Sequence, residues 1–282
     1  MSKNNKSLFD DYKKFERILK INPDNNVLDT STEDFLAPTT LIPLLIHAIK
    51  NDIQEFHTHK DTRDYVLHIL KREQIGNNTP FRILPKTKEA FNDESISMEV
   101  GNLITEDYAG KQSINFVISE LVNNIYDHTS FEKKYASHGY IYAQLYPIWK
   151  KLDITVYDDG LSIPGRFDKS NVDYGNDCQA IEKALTQFTT IKNRQSERGN
   201  GLGSCMKLIK ANKGSALIVS RKGCLEVDEK RKKYHYHNLN NEKLFKGTLI
   251  TLRFRDNPIN FYEALDDGYI HGTPYKYVEN NI

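Results

Sequence analysis

The sequence predicts an α/β fold, and two kinds of periodicity in its second half carry that prediction. A segment from about Gln112 to His128 has apolar residues at helical spacing. Residues 140–146 and 152–157 alternate apolar and polar side chains, as strands do, and the link from Pro147 to Lys151 joins them as a hairpin. Residues 247–254 form the last alternating strand.

Composition narrows the class of protein. A chain of 282 residues favours about two domains, and 38% hydrophobic residues are enough to build a core. The 39 basic and 38 acidic residues give a net charge of +1, so neither nucleic acid nor an anionic membrane is expected as a partner. Three widely spaced cysteines and an N-terminus without a signal-peptide core predict a cytoplasmic protein with reduced thiols.

The N-terminal third is predicted to form an amphipathic arm over residues 1–20 and a small α/β domain over residues 21–105. Helical spacing of apolar residues marks the arm, which we expect to pack on its own domain more readily than on a partner. The small domain is predicted from a strand, two helices and a strand, in that order. These elements are residues 27–30, 39–53, 62–74 and 81–84, with a connector at 99–110.

The helix over 112–128 carries polar groups on one face. Asn124 follows Glu120 by four residues, and Asp127 or His128 follows Asn124 by three or four, so these side chains stack on a helix. A carboxylate one turn from a carboxamide, beside another acid, suits a hydrated hard cation and an activated water. A solvated polar face is an equally good interpretation of this helix alone.

Two further segments carry groups suited to a nucleotide. Asp158 ends a strand before Gly160 and Ile163-Pro164, where a carboxylate can accept a hydrogen bond from an exocyclic amine and Ile163 can wall an apolar base pocket. A plain Asp-Gly turn is the alternative. Glycines at 199, 201 and 203 precede a predicted helix, so free backbone N–H groups and the positive end of the helix dipole could bind phosphate. The spacing fits neither a P-loop nor a Rossmann fingerprint, and plain flexibility is the alternative.

Taken together and in this order, these segments resemble the GHKL superfamily of gyrase-type and histidine-kinase-type ATPase domains. The motifs are the acidic-amide helix, the strand ending in Asp-x-Gly-x-x-Ile-Pro, the Gly-x-Gly-Leu-Gly helix start and the Gly-Thr strand start. They lie within about residues 106–255. The resemblance implies a two-layer α/β sandwich, the Bergerat fold, with a mixed and mostly antiparallel sheet and helices on one face. It assigns residues 106–256 to the ATP-binding domain and 257–282 to a C-terminal tail.

The resemblance also implies roles for individual residues, with ATP and Mg²⁺ as cofactors. Glu120 matches the general base that polarises the attacking water, Asn124 the Mg²⁺ ligand, and Asp158 the acceptor for the adenine amino group. The loop 189–198 matches the ATP lid, with Arg194 among its basic residues. Further nucleotide contacts are implied at Asp127, Gly160, Ile163, Lys192, Arg198, Gly199, Gly201, Leu202, Gly203 and Thr248. Ser162 departs from the pattern, since the family often has a second glycine at that position.

The functions found in this superfamily do not all fit this sequence equally well. No helical His is followed by the acidic residue and proline of a phosphoacceptor, and too little chain follows the ATPase segment for a clamp-type transducer. The N-terminal unit resembles the STAS-like units found ahead of stand-alone bacterial ATPases of this type. We therefore predict a regulatory ATPase, in stress response or phage defence, with a protein partner and either a monomeric or a homodimeric state. A Ser/Thr protein kinase or nucleotide-dependent binding switch, similar to anti-sigma factors, is the alternative.

Overall fold

The chain folds into an α/β sandwich built on one large sheet. The structure is a computed structural model that describes residues 6–22, 26–71, 80–84, 93–104, 107–126, 138–186, 201–228, 233–239 and 245–266. A small parallel sheet pairs β1 (Val27–Thr30) with β2 (Glu55–Thr58). The large sheet contains β3 (Phe81–Ile83), β4 (Gly139–Tyr146), β5 (Lys151–Asp158), β6 (Ser215–Arg221), β7 (Gly223–Val227), β8 (Tyr234–Asn238) and β9 (Phe245–Arg255).

The seven strands lie in the order β3-β4-β5-β9-β6-β7-β8, and every neighbouring pair is antiparallel. The predicted hairpin is present as β4 and β5, joined by a 3₁₀ turn at Pro147–Trp149. The long strand β9 lies between β5 and β6 in the sheet. Strand ends far apart in sequence therefore become neighbours at this point of the fold.

Nine helices lie in the described part of the chain. They are α1 (Leu8–Ile21), α2 (Pro38–Lys50), α3 (Arg63–Leu70), α4 (Asp93–Gly101), α5 (Gly110–Asn124), α6 (Ile163–Lys169), α7 (Asp177–Thr186), α8 (Gly201–Ala211) and α9 (Phe261–Leu265). None of them combines the length and apolar character needed to cross a membrane. The short elements α4, α6, α9 and β2 have no counterpart in the sequence prediction. The predicted extended piece Phe35-Leu36-Ala37 is not a strand, and Ala37 instead precedes α2 with an extended backbone.

Helices α5 and α8 cover one face of the large sheet. Side chains alternate along a strand, and Ile154, Val156 and Ile250 belong to the apolar cluster on this face. Leu121 of α5 and Leu208 of α8 are buried in the same cluster. This layer of helices and sheet is the arrangement that positions the predicted ATP-site residues.

The N-terminal helices cover the opposite face. Tyr157, Leu249 and Val219, which alternate with the residues of the first face, belong to a second cluster with Leu8 of α1 and Leu44 of α2. Strand β3, predicted as part of the N-terminal domain, pairs with β4 in the large sheet. The domain boundary predicted near residue 105 therefore lies between segments that pack together.

A buried ion network joins α1 to the sheet. The Arg253 guanidinium of β9 donates to both carboxylate oxygens of Asp153 on β5, over 2.7 and 2.8 Å. Its Nη2 also donates to Asp11 of α1 over 3.0 Å. One cation thus pairs with two carboxylates. Burial raises the pKa of Asp11. Arg253 holds the pKa of Asp153 below its usual range.

Candidate functional site

Asp158 ends β5 on the face covered by α5 and α8. Its side chain points to that face because Val156, two residues earlier, does so, and it lies opposite Thr248 of β9. Asp158 is only 4% exposed, and one oxygen accepts a hydrogen bond from the Gly160 N–H over 2.8 Å. No basic side chain pairs with it among the residues that the structure describes. Burial, with a smaller contribution from neighbouring Asp159, raises the pKa of Asp158 to about 7.

Two hydroxyl groups lie at this end of the sheet, Thr248 opposite Asp158 and Ser220 opposite Thr248 on the next strand. Ser220 Oγ of β6 and Thr248 Oγ1 of β9 are 3.1 Å apart, and Ser220 Oγ also accepts a hydrogen bond from the Ile163 N–H over 2.9 Å. The first turn of α6 is thereby fixed against the strands. Ser220 was not predicted as a site residue, although a polar residue ending the apolar run Leu217-Ile218-Val219 is a visible signal.

The glycine of the Gly-Thr pair is required by close packing. Gly247 has a φ of +85°, a conformation that favours glycine. A Cβ at this position would overlap the backbone carbonyl of Asp158. Gly247 therefore lets β9 approach the end of β5 closely enough to place Thr248 beside Asp158.

Ser162, the departure from the family pattern, adopts a backbone conformation that belongs almost entirely to glycine. Its φ is 69° and its ψ is 165°. The side chain partly compensates, because Ser162 Oγ caps α6 by accepting a hydrogen bond from the Gly165 N–H over 3.1 Å. A glycine at this place in the pattern thus has a conformational reason, and the serine adds a helix cap.

We expect Ser162→Gly to raise the free energy of unfolding by about 1 kcal/mol. The relieved backbone strain of about 1–3 kcal/mol exceeds the few tenths lost when glycine replaces serine at a cap. Ser162→Ala keeps the strain and loses the cap, so it should lower the free energy by about 1 kcal/mol. Urea unfolding of both variants measures the two effects, and a loss of stability in both would contradict the strain.

The polar helix and the glycine-rich helix start meet in the fold. Glu120 lies half-buried on α5, and a Cβ at Gly201, the first residue of α8, would overlap its carboxylate. A Cβ at Gly203 would lie 2.9 Å from the Leu185 backbone oxygen of α7. These two glycines serve close packing, and they bring the positive end of the α8 dipole beside Glu120. Leu202 is partly buried against the core.

Asn124 is the last residue of α5, one turn after Glu120, and is half-buried. Its carboxamide makes no hydrogen bond to any residue that the structure describes. The described residues include no cluster of three His, Cys, Asp or Glu side chains able to hold a metal ion.

Several predicted site residues lie outside the described residues. They are Asp127, His128, Lys192, Arg194, Arg198 and Gly199, together with the rest of the lid segment. The structure brings the other predicted residues to one face of the sheet, in two groups. Asp158, Gly160, Ile163 and Thr248 surround the end of β5, and Glu120, Asn124, Gly201, Leu202 and Gly203 lie at α5 and the start of α8.

Two surface pockets involving the described residues lie on the other face of the sheet. The first, about 280 Å³, is lined by Lys50, His138, Tyr157, Asp159 and Lys246 among others. The second, about 260 Å³, lies beside Lys151 at the start of β5. Neither includes a predicted ATP-site residue. The candidate site is therefore defined by its polar side chains and not by either of these pockets.

The chain matches no protein-family model. It also matches no curated protein. The resemblance to the GHKL superfamily therefore depends on the four ordered sequence segments alone.

Proposed function

We propose that this protein binds Mg–ATP on the α5/α8 face of the sheet and hydrolyses it as a cytoplasmic regulatory protein. The observation that carries the proposal is Asp158, a buried carboxyl at a strand end with no basic partner among the described residues. A group held in this way costs stability, and such groups cluster at functional sites. An exocyclic amine of a purine would supply the missing donor, with Ile163 beside it as an apolar wall.

The phosphate end of the site is proposed at the start of α8. The N-terminal turn of a helix binds anions through free N–H groups and its dipole. Glu120 lies against Gly201 at that turn, so a water between Glu120 and a bound γ-phosphate would be held for attack. Asn124 would help to hold Mg²⁺, which would neutralise phosphate charge when bound. Catalysis would then consist of positioning, charge stabilisation and proton removal by Glu120.

Glu120→Gln is expected to lower steady-state phosphate release about 100-fold or more, because a carboxamide cannot take the proton of the attacking water. ATP affinity should change less than about threefold, since the substitution keeps size and polarity. Release of labelled phosphate and equilibrium ATP binding give the two numbers. Asn123→Ala on the same helix, which removes only the 3.2 Å bond to Ser119, is the matched control and should leave hydrolysis nearly unchanged.

A protein kinase or nucleotide-dependent binding switch is the second candidate, and the packing of the N-terminal helices favours it. Thr251 Oγ1 of β9 bonds to Thr155 of β5 over 2.9 Å and to Thr39 of α2 over 3.1 Å. The strands that end at Asp158 and Thr248 therefore contact the N-terminal helices directly, and nucleotide binding could alter the surface seen by a partner. Label from ATP appearing on a partner protein, without free phosphate, would replace the hydrolase proposal with this one.

A further inference from the structure

Lys151 lies in an unusual environment at the start of β5, whereas Asp158 lies at the end of that strand. Lys151 lies seven residues earlier, about 23 Å away at 3.3 Å per residue, and belongs to the face covered by α1 and α2. Its side chain is only 5% exposed. The Nζ atom lies 4.6 Å from the ring centre of Tyr146, 5.0 Å from that of Trp149 and 5.6 Å from that of Phe35. Three aromatic rings thus lie within cation–π distance of the amine.

The Lys151 amine makes no hydrogen bond or ion pair with any residue in the described ranges. Its neighbours are engaged differently: Lys14 Nζ bonds to Glu33 over 2.9 Å, and Arg253 serves Asp11 and Asp153. Cation–π contacts stabilise an ammonium without accepting its N–H groups in a fixed geometry. The amine therefore keeps protons and, when neutral, a lone pair that can react.

A pocket of about 260 Å³ lies against this amine, lined by Phe35 and Trp149. Its charged lining is balanced, with Lys6, Lys14 and Lys151 against Asp11, Glu33 and Asp34. The charges thus select neither anions nor cations strongly, whereas the two aromatic walls favour a planar or apolar molecule. The volume is below the range of about 300–1,000 Å³ for drug-sized ligands, so it suits one small ring.

The electrostatics of the pocket also raise the fraction of the Lys151 amine that is neutral. Burial, together with Arg253 and Arg255, lowers the pKa of Lys151 to about 8, and Asp153 and Asp11 oppose that shift. The adjacent Lys150 is the reverse case: it is 75% exposed, pairs with Asp256 over 3.0 Å and has a raised pKa. Lysines that form imines are activated by this combination of desolvation and neighbouring cations.

We propose that Lys151 is a carbonyl-reactive lysine that forms a reversible imine with a small aromatic aldehyde or ketone bound in this pocket against Phe35 and Trp149. The Nζ lone pair adds to the carbonyl carbon, and one N–H proton moves through pocket water to the carbonyl oxygen. The nitrogen lone pair of the resulting carbinolamine forms the C=N bond as the C–OH bond breaks, and the hydroxyl group takes the remaining N–H proton and leaves as water. One water is released, and neither an oxidant nor a reductant takes part.

The full-length protein and its own Lys150 provide the test. Salicylaldehyde with sodium cyanoborohydride at pH 7.5 would fix imines as secondary amines, and peptide mapping would give a labelling rate for each lysine. We expect Lys151 to be labelled at least about tenfold faster than Lys150, in line with the lower pKa of Lys151. A Lys151 rate equal to or below that of Lys150 would overturn the proposal.

Two further measurements test whether the folded pocket causes the reactivity of Lys151. In concentrated urea the ratio of the two rates should fall to about one, and a ratio unchanged in urea would show that the fold is not the cause. Trp149→Ala should lower the ratio several-fold for salicylaldehyde but little for glyoxylate, which has no ring. Equal effects on both aldehydes would overturn the assignment of an aromatic carbonyl compound. Lys151→Arg, which keeps the charge, identifies the labelled peptide by its loss.

Discussion

Replacing Arg253 by methionine is expected to lower the free energy of unfolding by about 3–5 kcal/mol. Arg253 is 3% exposed and is the only basic group bonded to both Asp153 and Asp11 in the described part of the chain. Its removal leaves two buried carboxylates without their partner, and uncompensated buried charge is the costly state. Urea unfolding monitored by circular dichroism measures the loss.

Two control variants test whether the lost stability comes from the unpaired buried carboxylates. The triple replacement Asp11→Leu, Asp153→Leu and Arg253→Met removes all three charges and should recover most of the lost stability, as apolar substitutes for buried ion networks often do. Arg17→Met removes the exposed one of two cations that pair with Glu33 and leaves Lys14 in place, so it should cost less than about 1 kcal/mol. If Arg253→Met cost no more than Arg17→Met, the network would not anchor α1 to the sheet.

The large sheet shows which structural features sequence periodicity predicts and which it does not. Alternation correctly predicted β4, β5 and β9 to within a few residues, because side-chain period depends only on local backbone geometry. It could not predict what covers the polar side of β5, where Asp153 and Thr155 are fully buried. That side packs on α1 and α2 through pairings with residues more than 90 positions away. The apolar character of α2 on all sides was the available signal for burial.

The candidate site likewise contains residues that local patterns predicted and residues that they could not predict. Asp158, Gly160 and the glycine start of α8 were predicted because each belongs to a local motif. Ser220 lies beside Thr248 only through the register of β6 against β9, which no local pattern specifies. Helix α6 was missed because it has only seven residues, although a serine cap followed by Ile-Pro is a helix-start signature.

Asp158→Asn is expected to weaken ATP binding about 10- to 100-fold, equivalent to about 1.5–3 kcal/mol for a hydrogen bond to a charged group. The substitution replaces an acceptor with a carboxamide whose NH₂ group can face the purine amine. Binding of the amine favours the ionised carboxylate, so wild-type affinity for adenosine should also fall as the pH decreases from 8 to 6. Calorimetric titration with ATP and adenosine measures both effects.

The same substitution should make the ligand-free protein more stable at pH 8. The pKa of Asp158 rises from 3.8 to about 7 on folding, so between about pH 4 and 7 the native state binds a proton that the unfolded chain releases. Stability therefore falls as the pH rises through this window, by up to about 4 kcal/mol at 1.36 kcal/mol per pKa unit. Asp158→Asn removes this loss, and its advantage should disappear near pH 4.

Asp159→Asn is the matched control one residue away. The Asp159 carboxylate accepts a bond from the His138 backbone N–H over 2.8 Å and lies 3.1 Å from His138 Nδ1. Its replacement should lower stability by about 1–3 kcal/mol and change ATP affinity less than threefold. A structural carboxylate loses stability when neutralised, whereas a ligand-binding carboxylate held without a partner gains stability and loses affinity. If Asp158→Asn instead destabilised the fold at pH 8 and left ATP binding unchanged, Asp158 would be a plain turn residue.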